Sequence, residues 1–506
     1  MGISASLFKS GPCRGVYRGR MNIVSVTQKH FRIKGIVHRP ISRLVSLWAA
    51  AAGAISVSGC GKLSVTRALA VGPNVVSHQL CSATFVAGLD PESYYREAIA
   101  PSLGIFNRMA RYRIDFDKRE VTATLAGGFV SRAVYRGAEG CLVVQGAVRE
   151  PAASPLPASA VVPSIAGPEV VAPTDPALIA AVDGAFAEPG VGGQLRQSRA
   201  VVIVHDGRVV AERYAAGYGV ETPMLGWSMT KSVTNALLGV LVRQGKISIS
   251  GPAPVAAWSD PKDPHHAISI DNMLRMTSGL DFGQSLTQNW ATAFDPTAQM
   301  VFATPDMAAV AERAGMKTAP GAAWRYSNGN TMILSRMIRD SVGGDAASVL
   351  TFAHRELFNP LGMTHSTLEF DAAGTPLGAT HLWAPARDWA RFGLLYLADG
   401  VAGGKRILPE GWVDYSARPT PGSEAYGYGA GFWTNRGDPS AVLPPHRRPD
   451  MPPDSFMAYG SLGQYVVIVP SARLVIVRMG VSRMPGEDIE GIDRLTADSV
   501  AVFGGR

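Results

Sequence analysis

The sequence predicts an α/β (α+β) chain, in which a small α+β N-terminal module precedes a larger domain of paired strands and buried helices. Three stretches carry that expectation. RAVVIVHDGRVVAERY (Arg199–Tyr214) is two alternating apolar runs joined by Asp206-Gly207, a strong hairpin signal. WSMTKSVTNALLGVLVRQGKI (Trp227–Ile247) places Val233, Ala236, Leu237, Val240 and Leu241 at helical spacing, which predicts a buried helix. SFMAYGSLGQYVVIVPSARLVIVRMG (Ser455–Gly480) reads as a glycine-bearing edge strand, a turn and a strong alternating strand.

The segments follow in order. A chain of 506 residues has room for two folding units plus tails. Its 46% hydrophobic and 17% charged residues describe a globular protein. The formal charge of +8 points toward nucleic acid only until it is located. Residues 1–45 hold nine Lys or Arg and no acid, and the first carboxylate is Asp90. Without those nine, 39 basic residues face 40 acidic ones, so the body is neutral and nucleic acid is not an expected partner.

The basic tail has the shape of an export signal, assigned to residues 1–59. Arg39 and Arg43 precede the apolar run LVSLWAAAAGAISV (Leu44–Val57), too short to span a bilayer comfortably and suited to a signal core. The run ends in Val57-Ser58-Gly59-Cys60, which resembles a bacterial lipobox. Cys60 would then be lipidated, and a lipid anchor there would be the chain's membrane contact in the periplasm. Met21 gives a more usual start than Met1. The alternative is a plain secretory signal cut after Ala70.

Residues 60–149 form the small module. The runs VVSHQLCSATFVAG, REVTATLAGGFVSRAVYR and CLVVQGAV are rich in strand formers, around one helical stretch near Tyr94–Met109. Cys13 lies in the tail, which leaves Cys81 and Cys141 beside Cys60. In an oxidising compartment this pair is a candidate disulfide; two ordinary buried thiols are the alternative. Glu150–Pro176, rich in proline, alanine and serine, cannot bury a core and is an extended linker or a surface strap. Residues 177–506 are the larger domain. No Cys/His cluster has metal-ligand spacing, His265-His266 included, and no cofactor is expected.

Ser228 stands in the first turn of the predicted helix, with Lys231 one turn on and on the same face. The positive helix N-terminus favours a serine alkoxide. A lysine held in an apolar helix loses hydration as a cation, which moves it toward a working base. Alone, a serine three residues before a lysine reads more readily as a helix cap and a snorkelling lysine. Two further features change the balance: Tyr326-Ser327-Asn328 directly before an apolar helix, and Ala458-Tyr459-Gly460 followed by Ser461 near the C-terminus.

This order of motifs resembles the serine β-lactamase and penicillin-binding-protein superfamily. The tyrosine of the second motif places it nearest class C β-lactamases, family VIII carboxylesterases and 6-aminohexanoate-dimer hydrolases. LRMTSGL (Leu274–Leu280), NPLGMTHSTL (Asn359–Leu368) and RDWARFGLLYLADG (Arg387–Gly400) extend the likeness over residues 195–485. The resemblance implies a β-lactamase/transpeptidase-like domain, with an antiparallel sheet flanked by helices and an α-helical subdomain. It implies Ser228 as the acylated nucleophile, Lys231 as its base, and Tyr326 as a proton relay whose phenol is lowered by charge on Lys231. Asn328 would position the lysine and the substrate. Ser461 and Ser228 would offer backbone N–H groups to an oxyanion, and Gly460 would leave room for substrate along the strand.

The pattern departs at Ala458 and Tyr459, where β-lactam-directed members carry a cation and a hydroxyl. The expected activity is therefore hydrolysis of small esters or amides by an exported serine hydrolase. A β-lactamase, a D-amino-acid carboxypeptidase-like cell-wall enzyme and a non-catalytic peptidoglycan-binding lipoprotein remain as alternatives. Gly226-Trp227-Ser228-Met229-Thr230 lacks the second glycine of a nucleophile elbow, which disfavours an α/β-hydrolase. Trp290, Phe294 and Trp324 are candidates for an acyl pocket or plain packing, and Tyr459 for substrate contact or strand packing. His381 reads as structural, and Asp388 with Arg391 as a surface pair.

Overall fold

The computed structural model describes residues 59–125, 128–146, 156–157, 163–189, 194–282, 290–437 and 448–504. The export signal expected over residues 1–59, Cys13 and Met21 included, lies outside the described residues except for Gly59.

The module opens with helix α1 (Gly59–Cys81), followed after a helical segment by a four-stranded antiparallel sheet. Its strands β1 (Ala110–Asp115), β2 (Glu120–Leu125), β3 (Phe129–Tyr135) and β4 (Cys141–Val143) lie in sequence order. Val76 and Leu80 of α1 close a core with Ile99, Leu103, Val121, Ala123 and Ala133. Cys81 and Cys141 are disulfide-bonded, with Cα atoms 6.1 Å apart.

The stretch VVSHQLCSATFVAG, expected to be strand-rich, is instead the end of α1 and a π-helical turn at Ser82–Val86. The reason is burial on more than one side. Val76 to Leu80 are all nearly inaccessible, three of them polar (Ser77, His78, Gln79). A helix satisfies its own backbone and can be inserted between the module sheet and the larger domain. A strand there would need lateral partners, so context overrides the preference of Val75 and Val76.

The larger domain is built on a six-stranded antiparallel sheet. After α2 (Pro176–Phe186) come β5 (Ser198–His205) and β6 (Arg208–Tyr214), the hairpin turning at Asp206-Gly207. A short strand, β7 (Met224–Leu225), leads to the turn Gly226–Met229 and to helix α3 (Thr230–Arg243). Short helices lead on to α4 (Asn328–Val342). Strands β8 (Thr367–Leu368) and β9 (Leu382–Ala384) pair with β7 in the order β7-β9-β8, and α5 (Ala386–Leu397) follows. The chain then supplies β10 (Trp433–Thr434), β11 (Phe456–Gly460), β12 (Gln464–Val469) and β13 (Leu474–Gly480), and ends on α6 (Ile489–Phe503).

The sheet runs β10-β11-β12-β13-β5-β6. One face packs Val202, Val204, Val466 and Val475 against α3 and α5. The other packs Val201, Ile203, Val467 and Ile476 against α2 and α6. Covered on both faces, β12 and β13 are buried along their whole length and lose the alternation of a half-exposed strand. Burial of each such Val or Ile contributes about 1.5–3 kcal/mol.

Within the linker, the described residues from Pro163 onward follow the open edge of β6. Val209 N–H donates to Ile165 O and Glu212 N–H to Val171 O, at 2.9 and 2.8 Å. A proline-rich strap thus covers an edge that would otherwise present unpaired backbone. Asp388 and Arg391 do not form the expected surface pair. Asp388 is buried, accepting from His365 N–H (3.1 Å) and Ser366 Oγ (3.2 Å), because it closes the turn of NPLGMTHSTL against α5.

Candidate active site

The site forms where three backbone segments converge. The turn Gly226–Met229 is anchored by Gly226 N–H donating to Leu382 O (2.9 Å), and Thr230 Oγ donates back to Trp227 O (2.7 Å). A Cβ at Gly226 would meet Trp389 at 2.3 Å. Trp227 adopts φ 47°, a left-handed conformation that costs a non-glycine residue about 1–3 kcal/mol. This bend presents Ser228 at the head of α3 with its side chain partly open to solvent.

Lys231, one turn into α3, is 3% exposed. Its Nζ lies 3.0 Å from Ser228 Oγ, 2.5 Å from Asn328 Oδ1 and 2.9 Å from the carbonyl of Ala379. Its aliphatic path and ammonium are cut off from water, and burial pushes its pKa well below the ordinary lysine value. Lys231 Nζ donates to all three neighbours, Ser228 Oγ, Asn328 Oδ1 and the Ala379 carbonyl.

Asn328 is the first residue of α4, and Ser327 caps that helix by accepting from Gly329 N–H (3.1 Å). Tyr326 precedes the cap. The stretch LRMTSGL fixes its approach, since Arg325 N–H donates to Met276 O (2.8 Å) and Ser327 N–H contacts Met276 Sδ (3.4 Å). The Tyr326 ring lies under Lys231 Nζ at 4.9 Å, and its hydroxyl interacts with the Ser228 side chain. Trp433 stacks on the same ring at 5.4 Å and Tyr428 meets it edge-on at 5.7 Å.

One expected relation is overturned. A charged Lys231 was to lower the Tyr326 phenol, yet burial pushes Tyr326 upward and Lys231 downward. Both groups sit in the same poorly hydrated pocket, which disfavours either charge. The same burial therefore disfavours both the ammonium of Lys231 and the phenolate of Tyr326.

The third motif lies on β11. Gly460 is required by the packing of the backbone: a Cβ there would sit 2.1 Å from Gly226 O and 3.1 Å from Ser228 N. The strand is pressed against the nucleophile turn, and only a glycine permits that approach. Ser461 follows in the turn to β12, where its carbonyl accepts from Gln464 Nε2 (3.1 Å). Ala458 is fully buried. The Tyr459 hydroxyl donates to Glu487 Oε2 (2.7 Å), and its ring stacks on Tyr465 at 4.9 Å.

Sequence reasoning brought Ser228, Lys231, Tyr326 and Asn328 together correctly as neighbours. It missed Ala379, because a backbone acceptor has no side-chain signature. The one available signal was Gly378 beside it, where a Cβ would lie 2.3 Å from Ser335 Oγ and 2.4 Å from Thr234 Oγ1. It also missed Glu487, Tyr428 and Trp433. Trp324 stacks on Tyr426 at 5.0 Å and Phe294 is 55% exposed, so neither is fixed as an acyl-pocket wall. The Trp290 side chain lies outside the described residues. His381 is fully buried.

The family model described as Beta-lactamase matches residues 184–500. A curated relative, the 6-aminohexanoate-dimer hydrolase of Paenarthrobacter ureafaciens, is 23% identical over 233 residues, which are 42% of this chain. The match spans 56% of that relative's length. Among solved structures, a family VIII carboxylesterase is 14% identical with a TM-score of 0.49, covering 65% of this chain and 99% of its own. A penicillin-binding protein homologue from Caulobacter crescentus is 16% identical with a TM-score of 0.48, covering 66% and 99%.

Proposed function

Since this chain belongs to the Beta-lactamase family, we propose that it hydrolyses small esters or amides through an acyl-enzyme on Ser228. The observation that carries this reading is the buried Lys231 amine 3.0 Å from a partly exposed serine hydroxyl. In the first half-reaction Ser228 Oγ attacks the carbonyl carbon while Lys231 takes the hydroxyl proton. The oxyanion is held by the backbone N–H groups of Ser228 and Ser461. Tyr326 gives its proton to the departing alcohol or amine and regains one from the Lys231 ammonium. Water then attacks the acyl carbon, its proton passing to the same pair, and the acid leaves with Ser228 restored.

Ester or amide hydrolysis is favoured over β-lactam hydrolysis by the third motif. Ala458 offers no cation for a substrate carboxylate, and the Tyr459 hydroxyl is committed to Glu487. Export as a lipoprotein anchored at Cys60 is part of the same reading. The lipobox-like Val57–Cys60 supports it, and so does the Cys81–Cys141 disulfide, which belongs to an oxidising compartment.

The test is quenched mass spectrometry of wild type, Ser228→Ala and Lys231→Ala with a short p-nitrophenyl ester and with nitrocefin. An acyl adduct on Ser228 with the ester, absent from both variants, is the expected result. Faster turnover of nitrocefin would select the β-lactamase alternative. No adduct with either compound would leave a binding protein.

A further inference from the structure

A buried polar cluster lies where the N-terminal module meets the larger domain, and it leads to Lys231. Glu369, just after β8, is completely buried. The groups that hold its carboxylate come from the module. Ser82 Oγ donates to Oε1 at 2.6 Å, Cys141 N–H donates to the same oxygen at 3.0 Å, and His78 Nε2 lies 3.0 Å from Oε2. Burial by itself would raise this carboxyl, but His78 beside it and the hydrogen bonds from His78 and Ser82 outweigh that and hold it ionised. A Cβ at Gly140, whose φ is +68°, would sit 2.6 Å from Glu369 Cγ. The disulfide joins Cys81, next to Ser82, to Cys141, and so fixes both donors to one another.

The backbone of Glu369 in turn brackets the loop Leu377–His381. Its N–H donates to His381 O (3.0 Å), and its carbonyl accepts from Leu377 N–H (2.8 Å). Between these anchors stands Ala379, whose carbonyl receives the Lys231 amine at 2.9 Å. The module grips the far end of the loop as well. Gln79 Nε2 donates to His381 Nε2 (2.9 Å), Tyr94 donates to Gln79 Oε1 (3.1 Å), and the His78 and His381 rings stack at 4.7 Å. His78, Glu369 and His381 are close enough to suggest metal ligands, with their ligand atoms within 4.8 Å. Nε2 of His381 accepts from Gln79 and Nε2 of His78 lies against Glu369 and Cys141 O, while Nδ1 of His78 has no hydrogen-bond partner.

We propose that the N-terminal module is part of the catalytic apparatus: Glu369, held by Ser82, His78 and Cys141, is a positioning residue that fixes the Leu377–His381 loop so that the Ala379 carbonyl orients Lys231 toward Ser228. The proposal rests on the reading of Ser228 as the acylated nucleophile. The groups facing the lysine nitrogen are Ser228, Asn328, the Ala379 carbonyl and the Tyr326 ring, none of them charged. A loop that loosens readmits water to this pocket, which restores hydration to the ammonium form and raises the pH at which the amine becomes available.

Glu369→Gln keeps the shape and removes the charge; Ser82→Ala removes one donor and is the milder change. Full-length wild type, both variants, Ser228→Ala and thiol-reduced wild type are compared with a p-nitrophenyl ester. Measured are kcat, KM, the pH profile of kcat/KM, fluorophosphonate labelling of Ser228, near-UV circular dichroism and the melting temperature. The expected result for Glu369→Gln is a fall in kcat of about tenfold or more, with KM within about twofold and the acid limb displaced to higher pH. Ser82→Ala and the reduced enzyme move the same way by about threefold. Folded variants with wild-type kcat and an unmoved acid limb, whatever their melting temperature, would overturn the proposal. If Glu369→Gln does not fold, Ser82→Ala and the reduced enzyme decide. Wild type that labels where Ser228→Ala does not keeps the nucleophile reading intact when the positioning claim fails; wild type that does not label removes both.

Discussion

In the proposed mechanism Lys231 is the base, and its environment specifies how it must behave. Burial lowers its affinity for a proton, and the proposed mechanism works through the neutral amine. Its activity is fully present above its folded pKa and is lost as pH falls through that value. The acid limb of kcat/KM in the free enzyme should therefore report a lysine below 10.5, with a tenfold loss per pH unit beneath it. Lys231→Arg tests the same point by putting a permanent cation in place of a titratable amine. An arginine stays protonated at every accessible pH, so the acid limb should vanish and kcat should fall about 10²–10⁴-fold throughout. A bell-shaped profile unchanged by Lys231→Arg would assign the limb to another group. Tyr326 stays a phenol over the whole range, because burial pushes it up rather than down.

The elements determine how those residues meet. The nucleophile turn and β11 approach each other backbone to backbone, Gly460 against Gly226 O and Ser228 N. Gly460→Ala should force the strand outward, costing about 1–3 kcal/mol as overpacking does and lowering acylation about 10²-fold through misplacement of the oxyanion donors. Denaturant unfolding and burst kinetics read the two effects separately; an alanine variant that acylates at the wild-type rate would deny the strand that role. Helix α3 and the hairpin β5–β6 were legible in the sequence because their apolar periodicities are local and strong. The stretch Ser455–Gly480, read as an edge strand, a turn and one alternating strand, instead makes the three strands β11, β12 and β13 inside the sheet, where burial on both faces removes the alternation. The end of α1 was not legible either. Its Val75 and Val76 favour a strand in isolation, and only insertion between two layers, with Ser77, His78 and Gln79 buried alongside, makes the helix the better solution.

For the molecule as a whole, the described residues from Gly59 onward fall within one compact unit. The disulfide closes a 60-residue separation inside it. In the chain-entropy account such a loop contributes about 4 kcal/mol, so thiol reduction should shift the denaturant midpoint downward by a matching amount. An unmoved midpoint would show that the module's packing on the larger domain is sufficient without the bridge.

The sequence by itself determined the chemical identities: a serine, a lysine, a tyrosine and an asparagine in an order whose local structure places each at the head of a helix. It also carried the glycine of β11 and the pair of cysteines. Only the tertiary structure decided that Gly460 serves a backbone approach, that burial pushes Lys231 down and Tyr326 up, and that the Ala379 carbonyl completes the lysine's partners. Each of these depends on burial or on a backbone atom contributed from far along the chain. Burial and backbone position arise from packing, and no side-chain pattern within a single stretch encodes them.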